Sequence, residues 1–306
     1  MGRDEAGAAG GQDRSGAGGG GTVRRPTEVG STAHGPVEYR LERRGDDVLL
    51  VLHGGHMRAG LALGEDAFAA AGLSILAPSR PGYGRTPVQT GPTTEAYADA
   101  VAELCDGLGV ARVAAVVGIS GGGPTAVVMA ARHPQLVRRL VLISAVGPLP
   151  WPGARTRAGG RVVFAPGAEA VTWAGVRLML RAGGRPVLRR LVAGVSSAPG
   201  AAAWAGMSSA DEVMLLELFG AMRSGRGFVR DLEPAPDLCG SVTQPALVVA
   251  SRTDGGVPFT HAEALVAALP AADLVVSCAA GHFVWCSPDW PGIAEQIVAF
   301  VRAPFR

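Results

Sequence analysis

Ser120 lies in Gly118-Ile119-Ser120-Gly121-Gly122, between the apolar run Val113–Val117 and a second apolar run, Ala126–Ala131. The first run has the length of a fully buried strand, and the alanine-rich second run suits a helix. A strand–turn–helix with serine at its apex and glycine two residues to either side fits a nucleophile elbow. Such a turn strains the serine backbone and holds its hydroxyl clear of the sheet. Only glycine, lacking Cβ, lets neighbouring chain pass that close. Backbone N–H groups at the start of the next helix then face the place where a developing oxyanion would lie. In a chain with 45 glycines the pattern alone is weak. A glycine-rich loop with an incidental serine is the plain alternative, so the rest of the chain must decide.

A serine hydroxyl needs a base to take its proton, and the base needs an orienting carboxylate. On a nucleophile-elbow sheet the chain order is serine, acid, histidine. Of six histidines, only His261 and His282 follow a plausible acid. His261 falls inside an amphipathic helical pattern and reads as a surface helix residue. His282, in Ala279-Ala280-Gly281-His282-Phe283, follows a strand end in a loop, where a catalytic base on a rigid scaffold is expected. The matching acid is Asp254, the one carboxylate in the loop after the strand Ala246–Ala250; its plain role would be an Asp-Gly turn. Asp237 is a reserve candidate that precedes the strand, at the wrong end. The oxyanion hole needs two N–H donors: Gly121 follows the serine, and Gly55 in His53-Gly54-Gly55-His56 supplies the other, with His56 an option. His53 reads as structural, packing the turn.

These residues need elements to position them. Residues 1–34 are glycine-rich and poor in large apolar side chains, which reads as a disordered tail. Val37, Tyr39 and Leu41 alternate as a half-exposed edge strand. Buried strands follow at Val48–Leu52 and Leu73–Ala77, with a helix over Leu61–Ala71 between them. Next come a rigid loop from Pro78 to Thr86, a helix over Glu95–Leu108 capped by Thr93 or Thr94, the serine turn, and a strand Leu140–Ile143. The strand–helix alternation lapses over residues 147–231, an expected helical cap. It resumes over 232–306 with strands Ala246–Ala250 and Leu274–Ser277 and helices Thr260–Leu269 and Trp290–Val301. The expected architecture is α/β: a mostly parallel twisted sheet with helices on both faces, its core split into residues 35–146 and 232–306. Ligands of such sheets bind at the carboxyl ends of the strands.

Composition narrows the chemistry. The net charge is +2, from 28 basic and 26 acidic residues, which argues against a nucleic-acid partner. Every basic residue is arginine; without lysine there is no Schiff base and no Walker-type phosphate loop. Cys105, Cys239, Cys278 and Cys286 lack metal-ligand spacing and read as reduced thiols of a cytoplasmic protein. No segment has a signal peptide's pattern or a membrane span's length, so stable membrane insertion is not expected. Eight arginines lie between Arg155 and Arg190 against one acid, Glu169. They could attract an anionic substrate or surface, but a solvated outer face of the cap is the simpler reading.

The ordered set His53-Gly54-Gly55, Arg80-Pro81-Gly82-Tyr83-Gly84-Arg85-Thr86, the Ser120 turn, Asp254 before Val257-Pro258, and Gly281-His282 resembles the α/β-hydrolase superfamily. The likeness is to its lidded bacterial branch of proline iminopeptidases, esterases and haloperoxidase-like enzymes, and it covers about Val37 to Phe305. It implies a Ser120–His282–Asp254 triad working through an acyl-enzyme. His56-Met57-Arg58 stands where the iminopeptidases carry Pro-Gly, which weakens a peptidase reading. A serine at the elbow argues against epoxide or haloalkane chemistry. The expected function is hydrolysis of a carboxylic ester or similar small-molecule acyl substrate with no metal or organic cofactor. The alternatives are a non-catalytic ligand binder of the same fold and an aminopeptidase-like amide hydrolase. A dinucleotide loop at Gly118–Gly123 fails on position, deep in the sheet rather than after its first strand.

Overall fold

The computed structural model describes residues 22–204 and 206–304. Eight strands among them form one sheet in the order β1-β2-β4-β3-β5-β6-β7-β8. The strands are β1 (Glu28–Thr32), β2 (Gly35–Glu42), β3 (Val48–Leu52), β4 (Ser74–Pro78), β5 (Ala115–Ile119), β6 (Leu140–Ile143), β7 (Ala246–Ser251) and β8 (Ala272–Ser277). Only the pairings of β2 with β1 and with β4 are antiparallel. β3 to β7 are continuous apolar runs because both sheet faces are covered. Alternate residues of β3 enter opposite layers: Leu49 and Val51 pack on one side, Val48, Leu50 and Leu52 on the other.

The helices of the core are α1 (Asp66–Ala70), α2 (Thr94–Gly107), α3 (Gly123–Arg132), α8 (Thr260–Ala268) and α9 (Trp290–Arg302). Thr93 accepts the Ala96 N–H and caps α2. Between β6 and β7 the chain leaves the sheet to form α4 (Ala154–Val163), α5 (Ala168–Ala193), α6 (Ser209–Ala221) and α7 (Gly227–Asp231). α5 is broken at Gly184, whose φ of 50° no right-handed helix accommodates. Trp173, Leu180 and Leu188 of α5 and Leu215 and Leu218 of α6 join the apolar layer that also holds α9.

Several expectations change. Residues 1–21 of the expected tail lie outside the described residues, but order begins well before Val37. Val23 is buried, the Ala62 N–H donates to its carbonyl at 2.9 Å, and β1 pairs with β2 along its whole length. β2 is therefore interior rather than an edge, and its polar residues Glu38 and Arg40 are buried with partners. Glu38 accepts from Ser79 and Arg85, and Arg40 pairs with Glu65. The helix expected over Leu61–Ala71 shrinks to five residues, because Leu61 bridges in extended form to Arg24 and Gly64 has a φ of 70°. β5 runs two residues later than the apolar run Val113–Val117, directly into Ser120.

Candidate active site

The sheet register carries the candidate residues to one rim. Ile119 of β5 lies opposite Ile143 of β6, Ile143 opposite Val249 of β7, and Ser251 opposite Ser277 of β8. Ser120, Ser144, Asp254 and His282 all follow these paired ends, so they emerge at the carboxyl edge of the parallel strands.

Ser120 has a φ of 50°, in the left-handed region that an L-residue adopts only when its surroundings force it. The flanking glycines are needed for space. A Cβ on Gly118 would come within 2.6 Å of Ala126 Cβ, and one on Gly122 within 2.1 Å of the Leu52 carbonyl oxygen. The close pass of β3's end over the elbow thus excludes any side chain at position 122. Gly54 crosses the serine as well: its Cβ would lie 3.1 Å from Ser120 Cβ and 3.7 Å from Oγ.

Asp254 is buried, and its Oδ1 accepts the Gly256 and Val257 N–H groups at 2.8 Å each. The Asp-Gly turn that composition alone suggests is therefore real, and it serves to aim the carboxylate. His282 Nδ1 lies 2.8 Å from Asp254 Oδ2 and 3.0 Å from Oδ1. With a carboxylate on Nδ1, that nitrogen carries the proton and Nε2 has a lone pair. Ser144, also at positive φ, donates its hydroxyl to the His282 carbonyl at 3.2 Å, and the Val146 N–H donates to the Ser120 carbonyl at 3.0 Å. The segment from Ser144 to Val146 therefore touches both the serine turn and the histidine loop. Among the described residues Ser120 Oγ makes no hydrogen bond, to His282 or to any other group.

His53 holds the loop it shares with Gly54 and Gly55, with Nε2 accepting the Arg80 N–H at 2.9 Å and Nδ1 2.8 Å from the Gly54 carbonyl. Burial pushes its pKa well below the ordinary imidazole range, and the nearby Arg80 charge adds to this. Arg80 is buried too: Nε donates to the His53 carbonyl at 2.8 Å and the guanidinium forks onto Asp231, with Nη1 at 2.5 Å and Nη2 at 2.7 Å. Burial would lower the Arg80 pKa, but the Asp231 carboxylate more than reverses this and keeps the fork charged. The Tyr83 hydroxyl also donates to Asp231, at 2.6 Å. Neither Arg80 nor Asp231 is among the expected site residues, yet a Cβ on Gly121 would sit 3.2 Å from Asp231 Oδ2 and 3.5 Å from Arg80 Nη2. Gly55 is covered by Phe228, whose ring would lie 3.0 Å from an added Cβ.

A cavity of about 590 Å³ opens at Gly121 and is bounded by Arg80, Val146, Trp151, Arg157 and Asp231. Of the arginine-rich stretch, Arg157 reaches this cavity while Arg185 and Arg189 pair with Glu212. His261 differs from its expected surface position: it is buried, and its Nδ1 accepts the Gly147 N–H at 3.1 Å. Asp237 accepts the Cys239 N–H at 3.1 Å ahead of β7 and lines this same cavity, but the carboxylate that His282 Nδ1 meets is that of Asp254. Among the described residues no cluster of three His, Cys, Asp or Glu side chains could hold a metal, and no helix is long and apolar enough to cross a membrane.

Comparison with known proteins places the chain in a family. The family model for the α/β hydrolase fold matches residues 47–167. A Bacillus subtilis protein named as an uncharacterized hydrolase, YcgS, is 28% identical over 287 residues, spanning 92% of this chain and 100% of that protein. A Burkholderia vietnamiensis 2-hydroxy-6-oxononadienedioate/2-hydroxy-6-oxononatrienedioate hydrolase is 30% identical over 263 residues, with 81% of this chain and 84% of the relative covered. Among solved structures, an alpha/beta hydrolase fold protein from Nakamurella multipartita superposes with a TM-score of 0.75 at 26% identity, covering 90% of this chain and 99% of that one. The chain belongs to the α/β-hydrolase fold family, and its relatives are named as hydrolases.

Proposed function

We propose that the protein is a serine hydrolase that cleaves a carboxylic ester, or a similar small acyl compound, through an acyl-enzyme on Ser120. The observation that carries this reading is the Asp254–His282 pair, 2.8 Å apart, on the strand-end rim that also presents Ser120 in a strained elbow. His282 Nε2 takes the Ser120 proton as Oγ bonds to the substrate carbonyl carbon. The tetrahedral oxyanion is held by the Gly121 and Gly55 N–H groups. The same proton passes to the leaving oxygen as its bond to carbon breaks, and water repeats the sequence to free the acid. Asp254 keeps the imidazole in the required tautomer. Substrate entry is the step that draws Ser120 Oγ onto His282, since catalytic hydrogen bonds tighten in the substrate complex.

A fluorophosphonate probe should label the wild type at Ser120 and leave Ser120→Ala unlabelled. The substitution should also lower kcat on p-nitrophenyl esters at least about 10⁴-fold. A folded wild-type protein that resists labelling would instead point to a non-catalytic ligand binder. A panel of p-nitrophenyl esters beside an amino-acid arylamide separates ester from amide preference. The 30% identity to the Burkholderia hydrolase favours a second reading, hydrolysis of an unsaturated 2-hydroxy-6-oxo dicarboxylic acid such as that relative's name gives. Loss of such a chromophoric substrate's absorbance, with no ester turnover, would establish it.

A further inference from the structure

His56, directly after the Gly55 donor, has three sides accounted for. Phe228 lies against one face at 4.0 Å between ring centroids, Phe164 stands at 4.6 Å and Trp173 at 5.2 Å. Its Nδ1 is 2.7 Å from the hydroxyl of Ser224, a fully buried residue. The Trp173 indole N–H also meets that hydroxyl, at 2.7 Å. An indole N–H only donates, so Ser224 Oγ accepts from Trp173 and must place its own hydrogen elsewhere. His56 Nδ1 is the remaining partner within reach, which makes Nδ1 the acceptor and fixes the ring proton on Nε2. The arrangement is held from behind, where Glu169 accepts the Ser224 N–H at 3.3 Å and the Arg223 guanidinium at 2.7 Å. The Arg223 N–H in turn donates to the His56 carbonyl at 3.1 Å, and the His56 backbone is itself at a φ of 64°.

The Nε2 edge makes no hydrogen bond to any described residue, and it is not one of the sealed, unpartnered polar atoms of the molecule. A backbone strained into the left-handed region and a three-residue polar chain thus present one N–H from the oxyanion loop. We infer that His56 is a specificity-determining residue. Its Nε2–H donates to an oxygen acceptor on the acyl part of the substrate, beside the carbonyl that Gly55 and Gly121 receive. This rests on the acyl-transfer reading above. His56 directly follows Gly55 in the chain, so the favoured acyl group carries an ether, hydroxyl or keto oxygen close to the scissile carbonyl. Phe164 and Phe228 flank the imidazole itself with apolar surface. Burial holds the imidazole neutral, its pKa lowered to about 3 against the pull of Glu169. It acts as a fixed donor and not as a second base.

The test compares p-nitrophenyl methoxyacetate with p-nitrophenyl butyrate, which differ by an oxygen in place of a methylene. The ratio of their kcat/KM values is measured for wild type, His56→Leu, His56→Gln and Ser224→Ala. The two esters' intrinsic reactivity difference cancels when ratios are compared between proteins. The ratio should fall about tenfold in His56→Leu and less in His56→Gln, which keeps an N–H donor. A smaller fall is expected in Ser224→Ala, where the tautomer is released. An unchanged ratio in His56→Leu would overturn the inference while fluorophosphonate labelling of Ser120 persisted; loss of labelling in the wild type would instead remove the acyl-transfer reading. Histidine ¹⁵N NMR on the wild type needs no variant. The His56 signals should show an unprotonated Nδ1 and a protonated Nε2, and the reverse tautomer would overturn the assignment.

Discussion

The two halves of the rim are braced by the same insertion in different ways. On the acid–histidine side the brace is mainly backbone, with the Trp151 indole N–H and the Ser196 hydroxyl each adding a bond to a carbonyl. The Val195 carbonyl accepts the N–H groups of Gly255 and His282, at 3.1 Å each, and the Ser197 N–H donates to the Thr253 carbonyl at 2.9 Å. On the side of the His53–His56 loop the brace is made of side chains: Asp231 holds Arg80 and Tyr83, and Ser224 holds His56. A backbone brace asks only that no side chain intrude, hence glycine at 255 and 281, where a Cβ would come within 2.7 and 2.9 Å of Ser196. A side-chain brace asks for particular residues. The first can survive wide sequence change, while the second ties the geometry of the His53–His56 loop to what the insertion contains.

The largest stability effect should come from breaking the side-chain brace at its charge pair. Arg80→Met would leave Asp231 buried without its cation, which costs about 3–5 kcal/mol, read as a fall in thermal midpoint. Arg80→Met/Asp231→Leu should regain much of that loss, because no unpaired charge remains, yet it should not recover activity, since the His53 carbonyl still lacks its donor. Equal loss in single and double variants would show that packing, not charge, is what the pair contributes.

The backbone brace should fail by intrusion. Gly255→Ala would press a methyl into the Ser196 backbone, at a cost of about 1–3 kcal/mol, and displace the turn that aims Asp254. Ser196→Ala removes a hydroxyl that donates to the Ala280 carbonyl but leaves the ladder intact, so it should cost less. Denaturant midpoints and esterase rates on both variants check the order. If Ser196→Ala proved the more damaging, this half too would depend on side-chain identity.

The difference between the braces also explains what the sequence made legible. Ser120 could be found because glycine spacing and a change of hydrophobic period announce a strand–turn–helix. Asp254 and His282 followed because each lies a few residues past a recognisable strand. Their role in catalysis stays a proposal, but their placement on one rim follows from parallel register alone. Arg80–Asp231 and His56–Ser224 left no such trace. The partners lie 151 and 168 positions apart, and no local pattern links a residue of the insertion to a loop that far upstream. β1 was hidden for a related reason: Glu-Val-Gly-Ser-Thr has little apolar content, and its order comes from pairing with β2. At α1 a helical period was visible, but Gly64 at positive φ stops it from extending backwards.

The smallest effect sharpens the contrast by pH. In the unfolded chain the His56 imidazole takes up a proton near pH 6.5, whereas in the folded protein burial delays uptake to about 3. Between those values the unfolded state binds more protons, so the neutral buried ring contributes stability that is complete above about pH 6.5 and drains away as pH falls toward 3. The groups around the ring set the balance: Glu169 from α5 favours the cation, and Arg80 opposes it. Asp231 and Tyr83 bear on His56 through Arg80, and Arg223 is already committed to Glu169. Thermal midpoints of wild type should therefore drop on acidification, and His56→Gln should drop less steeply between pH 6.5 and 4. The His53 ring, also held neutral by burial, keeps both curves from becoming flat. Parallel curves for the two proteins would mean that the imidazole at position 56 is not held neutral by the residues packed against it, and that the side-chain brace does not set its protonation.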